Sequence, residues 1–439
     1  MTVRIFGNGL DALLMAYSLT QDKRTFDWVT TVDQPGGFFS GSRNCAGQPI
    51  DIGMVLLEPN NFGMKGVPLS RFKGEEGHAA RPFINEAYSL LEEFFGQSRS
   101  LQVATIGKNW KQVPDYFIQD SLTSFRGSGT RIQEQLVSNI RWLEDHQDWH
   151  PRNKLNQKSI LSKVDVTTYF RRVYGQELYQ DYFAGYVGSL LGSKAEYLPA
   201  NLHRRAWLPL YWPETLLSYI GKEPISFELF QPRFMRPRSG SVAKWVDEMF
   251  LSVQTKGFAE ITKVENIYPE RYENFKSVGD FAFLNHSIFE NKSDRRNEIS
   301  PVNFVELKIV HFCTDQLEDK VVFLNHDNIG CFRISTESTS DSTLGGITFE
   351  FGNSSALMDE NSLLSIASSM CQRLSVEPRC AGKIFKGRLS MRQVSGIGPA
   401  RETQESGNPF TFFSDAGTSI NDNIVRGAYA TSLMRGDEV

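Results

Sequence analysis

Apolar positions along this chain fall into runs of two periods, and the elements follow from them. Val3-Arg4-Ile5-Phe6 is a short strand-like run, and Leu13 to Leu19 behind it has helical character. Trp28 to Asp33 predicts a second strand, and Ile50-Asp51-Ile52-Gly53 a further short one. Helical faces recur at Ile84, Ala87, Tyr88, Leu91, Phe94 and Phe95, closed by Gly96. Another face is built by Val166, Tyr169, Phe170, Val173 and Tyr174, with Asp165 placed to cap it and Gly175 to end it. A third carries Val242, Trp245, Val246, Met249, Phe250 and Val253, with Gly257 beyond its end. A strand is expected over Ala259 to Ile267 and a helix over Asp359 to Leu374. Phe304 to Phe312, Val321 to Leu324 and Gly330 to Ser335 read as strands of one sheet. Residues 59–235 read as an inserted, mainly helical region, and the polar stretch 268–300 as a long hairpin or loop.

The first apolar run leads straight into Gly7-Asn8-Gly9-Leu10-Asp11-Ala12, which makes strand, tight turn and helix the opening of a dinucleotide-binding unit. Gly7 allows the sharp turn off the strand. Gly9 has no Cβ, so a pyrophosphate can approach its backbone. Ala12 lets the helix pack close. The helix N-terminus then offers amides and a positive dipole end to phosphate.

Composition narrows the class. A chain of 439 residues is too long for one simple core and predicts two domains. The net charge of −4 argues against general nucleic-acid binding. No apolar run approaches the roughly 18 residues of a spanning helix. The glycine turn lies too close to the N-terminus to leave room for a cleaved signal. The five cysteines are odd in number and form no zinc pattern, so they read as reduced thiols, and a cytoplasmic location is expected.

Several of these features occur together in one family. Gly7-x-Gly9-x-x-Ala12, an acidic end to the second strand, Gly36-Gly37 and Asp51-x-Gly53 resemble the opening of the FAD-dependent amine oxidase and protoporphyrinogen oxidase superfamily, to which phytoene desaturases and UDP-galactopyranose mutases are related. Near the other end, Phe410 to Ser414, Asp415 and the helix-like stretch after it resemble that superfamily's second FAD motif, with Ser414 in place of the usual glycine. The stretch Val166 to Gly188 resembles its substrate-domain helices. The resemblance implies an α/β fold: a Rossmann-like FAD-binding domain of the glutathione-reductase-like type, with an inserted mixed α+β substrate domain. The first would comprise 1–58, 236–300 and 375–439, and the second 59–235 and 301–374. It also implies that Gly7, Gly9, Leu10, Ala12, Gly36, Gly37, Gly53, Asp51, Ser414 and Asp415 lie along FAD. Asn423 and Ile424 would face the flavin pyrimidine edge, and the backbone of Val264 would meet the adenine. The ribose acid falls on Asp33 or, without gaps, on Thr30; Asp33 is preferred because Val29 and Thr31 then alternate as strand residues.

The expected activity is an FAD-dependent oxidation or desaturation of a small organic molecule by hydride transfer to flavin N5. No nucleophile–base triad or metal cluster stands out, so no catalytic residue is assigned, and His203, His311 and His326 read as structural or surface residues. Arg233, Arg236, Arg238 and Arg333 are candidate contacts for an anionic substrate, since guanidinium forks bind carboxylates and phosphates. A homodimer is left open. Two other readings stand beside this one. A flavin-dependent sugar-nucleotide mutase is opposed by Asp51-Ile-Gly-Met54-Val, which lacks that enzyme's histidine-bearing loop. A flavin-fold binding protein without turnover is the second.

Overall fold

The computed structural model describes residues 3–52, 99–100, 102–106, 112–114, 130–151, 160–161, 163–200, 213–221, 235–236, 240–265, 281–285, 304–325, 330–338, 344–390, 411–414, 427 and 431. In chain order the elements begin with β1 (Val3–Phe6), α1 (Leu10–Gln21), β2 (Phe26–Thr30), β3 (Arg99–Ser100), β4 (Gln102–Ile106) and β5 (Gln112–Pro114). Among the described residues the longer helices that follow are α2 (Thr130–Asp145), α3 (Val166–Tyr174), α4 (Ala184–Leu191) and α5 (Pro213–Gly221). Then come β6 (Met235–Arg236), α6 (Val242–Thr255), β7 (Ala259–Lys263), β8 (Phe281–Asn285), β9 (Phe304–Asp315) and β10 (Lys320–Leu324). The order closes with β11 (Cys331–Ser338), β12 (Leu344–Phe351), α7 (Glu360–Arg373), β13 (Lys383–Ser390) and β14 (Thr411–Ser414).

The chain divides into two units, Met1–Ser100 with Phe234–Glu298 and Val394–Val439, and Leu101–Arg233 with Ile299–Gln393. The first is built on a five-stranded sheet in the order β14-β8-β1-β2-β7, with every pair parallel. Ile5 and Trp28 are completely buried in it, as strands covered on both faces require. Helix α1 is buried from Leu10 through Thr20 and packs against α6. Its buried polar residues are few, Asp11, Ser18 and Thr20, as suits an inside helix.

Two expectations for this unit are corrected. The polar stretch 268–300 contains β8, which stands beside β1 near the middle of the sheet. Residues 50–52 form no strand, because Asp51 is used to hold α6, as described below.

The second unit carries a seven-stranded sheet in the order β13-β9-β12-β11-β10-β4-β5. All its pairs are antiparallel except β10 with β4. One face packs Val310, Phe312, Val322, Ile334, Ile347 and Phe349 against Leu363, Ala367, Met370 and Cys371 of α7. Each large side chain so buried contributes about 1.5–3 kcal/mol. Asp359 caps α7, accepting the amide of Ser362 at 2.8 Å. The opposite face alternates to polar residues, with His311, Thr348 and Ser335 in one cross-strand row and Arg333 with Glu350 in the next. Two sequence expectations shift here. Strands β4 and β5 come from the region read as mainly helical, and β13 pairs with β9, which puts residues 383–390 in this sheet and not in the first unit.

The helical layer of this unit follows its pattern closely. Asp165 caps α3 through the amide of Thr168, and Gly175 ends it at φ +97°. Its buried stripe ends in a ring cluster in which Phe170 lies 5.0 Å from Phe183 and 5.2 Å from Tyr174. Among the described residues no helix is long and apolar enough to cross a membrane.

Candidate functional site

In the parallel sheet the chain leaves β1 in one direction to build β2 and β7, while β8 and β14 lie on the other side. The carboxyl ends of β1 and β8 therefore flank a topological switch point, the place where open α/β sheets bind ligands. The Gly7-Asn8-Gly9 turn leaves β1 at this edge. The Gly7 amide donates to Val29 at 3.1 Å, and Trp28 Nε1 donates to the Gly7 carbonyl at 2.9 Å. Gly9 is the N-cap of α1, and its carbonyl accepts the first helical amide, that of Leu13, at 3.1 Å. Ala12 is fully buried under the turn. The Asp11 carboxylate, also fully buried, accepts the Ala12 amide at 2.9 Å.

Asn8 holds the turn together, a role that its place between two glycines did not reveal. Its carbonyl accepts the amides of both Gly36 (2.8 Å) and Gly37 (2.7 Å). Its side-chain oxygen accepts from the Thr31 amide and the Thr30 hydroxyl, while its Nδ2 donates to Thr31 Oγ1 at 2.6 Å. The two glycine segments thus run side by side, joined also by a Gly9–Gly36 bridge. Both glycines of the pair sit at positive φ, which favours glycine. Gly36 sits at φ +138°, and a Cβ there would strike Val246 Cγ1. Gly37 sits at φ +61°, and its Cβ would lie 3.4 Å from Gly9 Cα.

The remaining first-unit candidates occupy varied positions. Thr30 ends β2 with its hydroxyl on Asn8. Asp33 lies beyond the strand, 81% exposed, and pairs with Lys263 at 2.6 Å. The Val264 amide donates to the Thr30 carbonyl at 2.9 Å, which leaves the Val264 carbonyl for other partners. Asp51 accepts the amides of Val242 (3.1 Å) and Ala243 (2.9 Å), and Ser241 caps the same helix through the Lys244 amide. Burial pushes the Asp51 carboxyl above its ordinary range, against the pull of the Arg236 guanidinium and the two amides. Ser414 ends β14 in register with Asn285. Gly53, Asp415, Asn423, Ile424, Arg233 and Arg238, with His203 and His326 and the helical face at residues 84–95, lie outside the described residues.

A reduced UDP-galactopyranose mutase matches over 99% of this chain and 94% of its own, with a TM-score of 0.60 at 10% identity. Wild-type putrescine oxidase bound to putrescine matches over 99% of each chain, with a TM-score of 0.51 at 13% identity. Cyclohexylamine oxidase from Brevibacterium oxydans also matches over 99% of each, with a TM-score of 0.53 at 12% identity. This is the amine oxidase-like fold. No protein-family model matches the sequence, and no curated protein matches it.

In the second unit of this amine oxidase-like fold, the arginine singled out by sequence is already engaged. Arg333 donates through Nε and Nη2 to the two Glu350 oxygens at 2.7 and 2.5 Å, a closed fork across adjacent strands. Burial pulls its guanidinium down, but the Glu350 charge outweighs this and holds it above its ordinary range. Arg236 is buried within the first unit beside Asp51. Arg333, closed on Glu350, offers no open fork to an anion. On the same sheet face His311 is 2% exposed, with Nδ1 3.0 Å from Thr348 Oγ1. Burial, aided by the Lys383 charge, lowers its pKa to about 4, so the imidazole is neutral at neutral pH.

Proposed function

We propose that the protein is an FAD-dependent oxidoreductase that removes a hydride from a small organic substrate. One observation carries this reading: Asn8 ties the Gly7–Gly9 turn to Gly36-Gly37 at the switch point of the parallel sheet. The arrangement fits a dinucleotide. It presents glycine backbone without Cβ atoms beside the N-terminus of a buried helix, where amides and the dipole favour a diphosphate. The parallel order, with β14 at one edge and β7 at the other, supports the glutathione-reductase-like subtype.

In this reading Gly7, Gly9, Leu10, Ala12, Gly36 and Gly37 surround the diphosphate. Asp33 reaches the ribose by giving up an exposed pair with Lys263, worth about 1 kcal/mol or less. Val264 meets the adenine through its carbonyl. Ser414, Asp415, Asn423 and Ile424 serve the ribityl chain and the pyrimidine edge, with Gly53 near the flavin. Asp51 acts indirectly, by fixing α6. Bound FAD would supply the hydride acceptor. Putrescine and cyclohexylamine oxidases share the fold, so small amines belong in the first substrate panel beside carboxylates.

The test is the visible spectrum of the purified protein. Flavin bands are expected, acid-released cofactor should run as FAD, and Gly9→Val should lose it while keeping its far-UV spectrum. Protein that stays colourless after incubation with FAD would overturn the reading. Anaerobic bleaching of the flavin on adding a panel substrate then identifies the reaction.

A further inference from the structure

A cavity of about 550 Å³ lies within the second unit, between α3 and α4. Gly188 of α4 lines it, and a Cβ there would meet nothing within 4 Å, so the absent side chain leaves the floor open. Thr167 and Tyr179 form one wall, their hydroxyls 3.2 Å apart. Tyr179 begins a π-helical turn, Tyr179–Phe183, a rare local geometry that recurs at functional sites.

The charges lining the cavity are the informative feature. The Arg171 guanidinium lies 4.9 Å from the Tyr179 ring centroid and makes no ion pair among the described residues. Glu196, also on the lining, makes none either. Asp165 spends one oxygen on the Thr168 amide. A cation and an anion therefore share one cavity without closing on each other, and the cation is held in place by an aromatic face. Opposite charges so separated complement a molecule that carries both.

We propose that this cavity binds a small zwitterion of the α-amino acid class, with its carboxylate on Arg171 and its ammonium on Glu196. A guanidinium takes a carboxylate through two parallel N–H bonds, and Glu196 accepts from the ammonium. The site does not depend on flavin in the first unit, so its test is separate.

The experiment is calorimetric titration of the full-length protein with L-alanine and L-lysine, using acetate and methylamine as single-charge controls. The amino acids should bind at least about tenfold more tightly than either control, since each charged hydrogen bond lost is worth tenfold or more. Arg171→Gln and Glu196→Gln should each weaken binding by about tenfold or more. Gly188→Trp fills the cavity and should abolish it. Should Gly188→Trp fail to fold, the Arg171 and Glu196 variants decide, since both side chains are exposed. Absence of binding into the millimolar range, equal binding of a single-charge control, or binding that survives all three substitutions would overturn the proposal.

Discussion

The carboxylate of Asp51 accepts the amide of Ala243 at 2.9 Å, across 192 residues of chain. Its other oxygen takes the amide of Val242 at 3.1 Å, so one side chain caps two first-turn donors of α6. Helix α6 packs on α1, and Val246 on α6 sits against Gly36. The tether thus sets the helix that backs the glycine pair. Asp51→Ala should lower stability by about 2–4 kcal/mol, combining a lost cap with the loss of the negative charge facing Arg236. Urea unfolding measures it, and a change below about 0.5 kcal/mol, the usual scale of a surface substitution, would remove the tether from the account.

His311 gives the protein an acid limb. Its folded pKa is about 4, against 6.5 for the free side chain. Between those values the unfolded chain binds a proton that the folded chain does not, so stability rises with pH there. It should be lost as pH falls from about 6.5 toward about 4, by roughly 3 kcal/mol at most. His311→Gln should flatten that limb of a stability–pH profile while leaving other carboxylate-driven losses at lower pH. An unchanged slope in the variant would mean that His311 does not titrate as its burial requires.

Arg333 and Glu350 form a buried pair whose two halves are unequal to remove separately and together. Glu350→Gln leaves a guanidinium in a dry sheet face without its counter-charge, and a cost of about 3–5 kcal/mol is expected. Arg333→Met combined with Glu350→Leu removes both charges and should recover most of that loss. Denaturation of both variants checks the difference. If the double replacement costs more than the single one, the pair does more than neutralise itself, and a ligand contact through Arg333 returns to consideration.

What could be read from sequence divides along physical lines. Helix α3 was legible because Asp165, five buried positions and Gly175 all lie within eleven residues. The same holds for α7, and for α6 as far as its Ser241 cap and apolar face go, whereas its second cap, Asp51, lies 192 residues away. Strand β8 was not, because its short run Phe281-Ala-Phe-Leu sits in polar surroundings and its partner β1 is about 280 residues away. The glycine turn was legible as a turn, but Asn8 was not legible as its hub. Its four partners, Thr30, Thr31, Gly36 and Gly37, meet it only after the sheet forms. Arg333 misled for a like reason. Its charge is visible in sequence, whereas Glu350, which closes it, is set opposite only by strand register.

The last prediction concerns the two ends of the chain. Gly427 is helical and buried, and a Cβ on it would lie 2.8 Å from Leu14 Cβ and 3.3 Å from the Asp11 carbonyl. Thr431, one turn on, is also buried and donates its hydroxyl to the Gly427 carbonyl at 2.8 Å. Gly427 therefore lies against the start of α1, and only a glycine allows that approach. Gly427→Val must push the two apart, at about 1–3 kcal/mol for an overpacked contact. In the flavin reading, Gly9 at the start of α1 and Asp415, which precedes Gly427 in the chain, serve one FAD, so the displacement should also weaken FAD binding. Melting curves separate packing from cofactor contact. A pure packing loss lowers the melting temperature equally with and without added FAD, whereas misplacing the site shrinks the stabilisation that added FAD gives. The second pattern is expected. Equal shifts in both forms would confine Gly427 to packing, and a wild-type melting temperature would mean that Gly427 does not meet α1 as described.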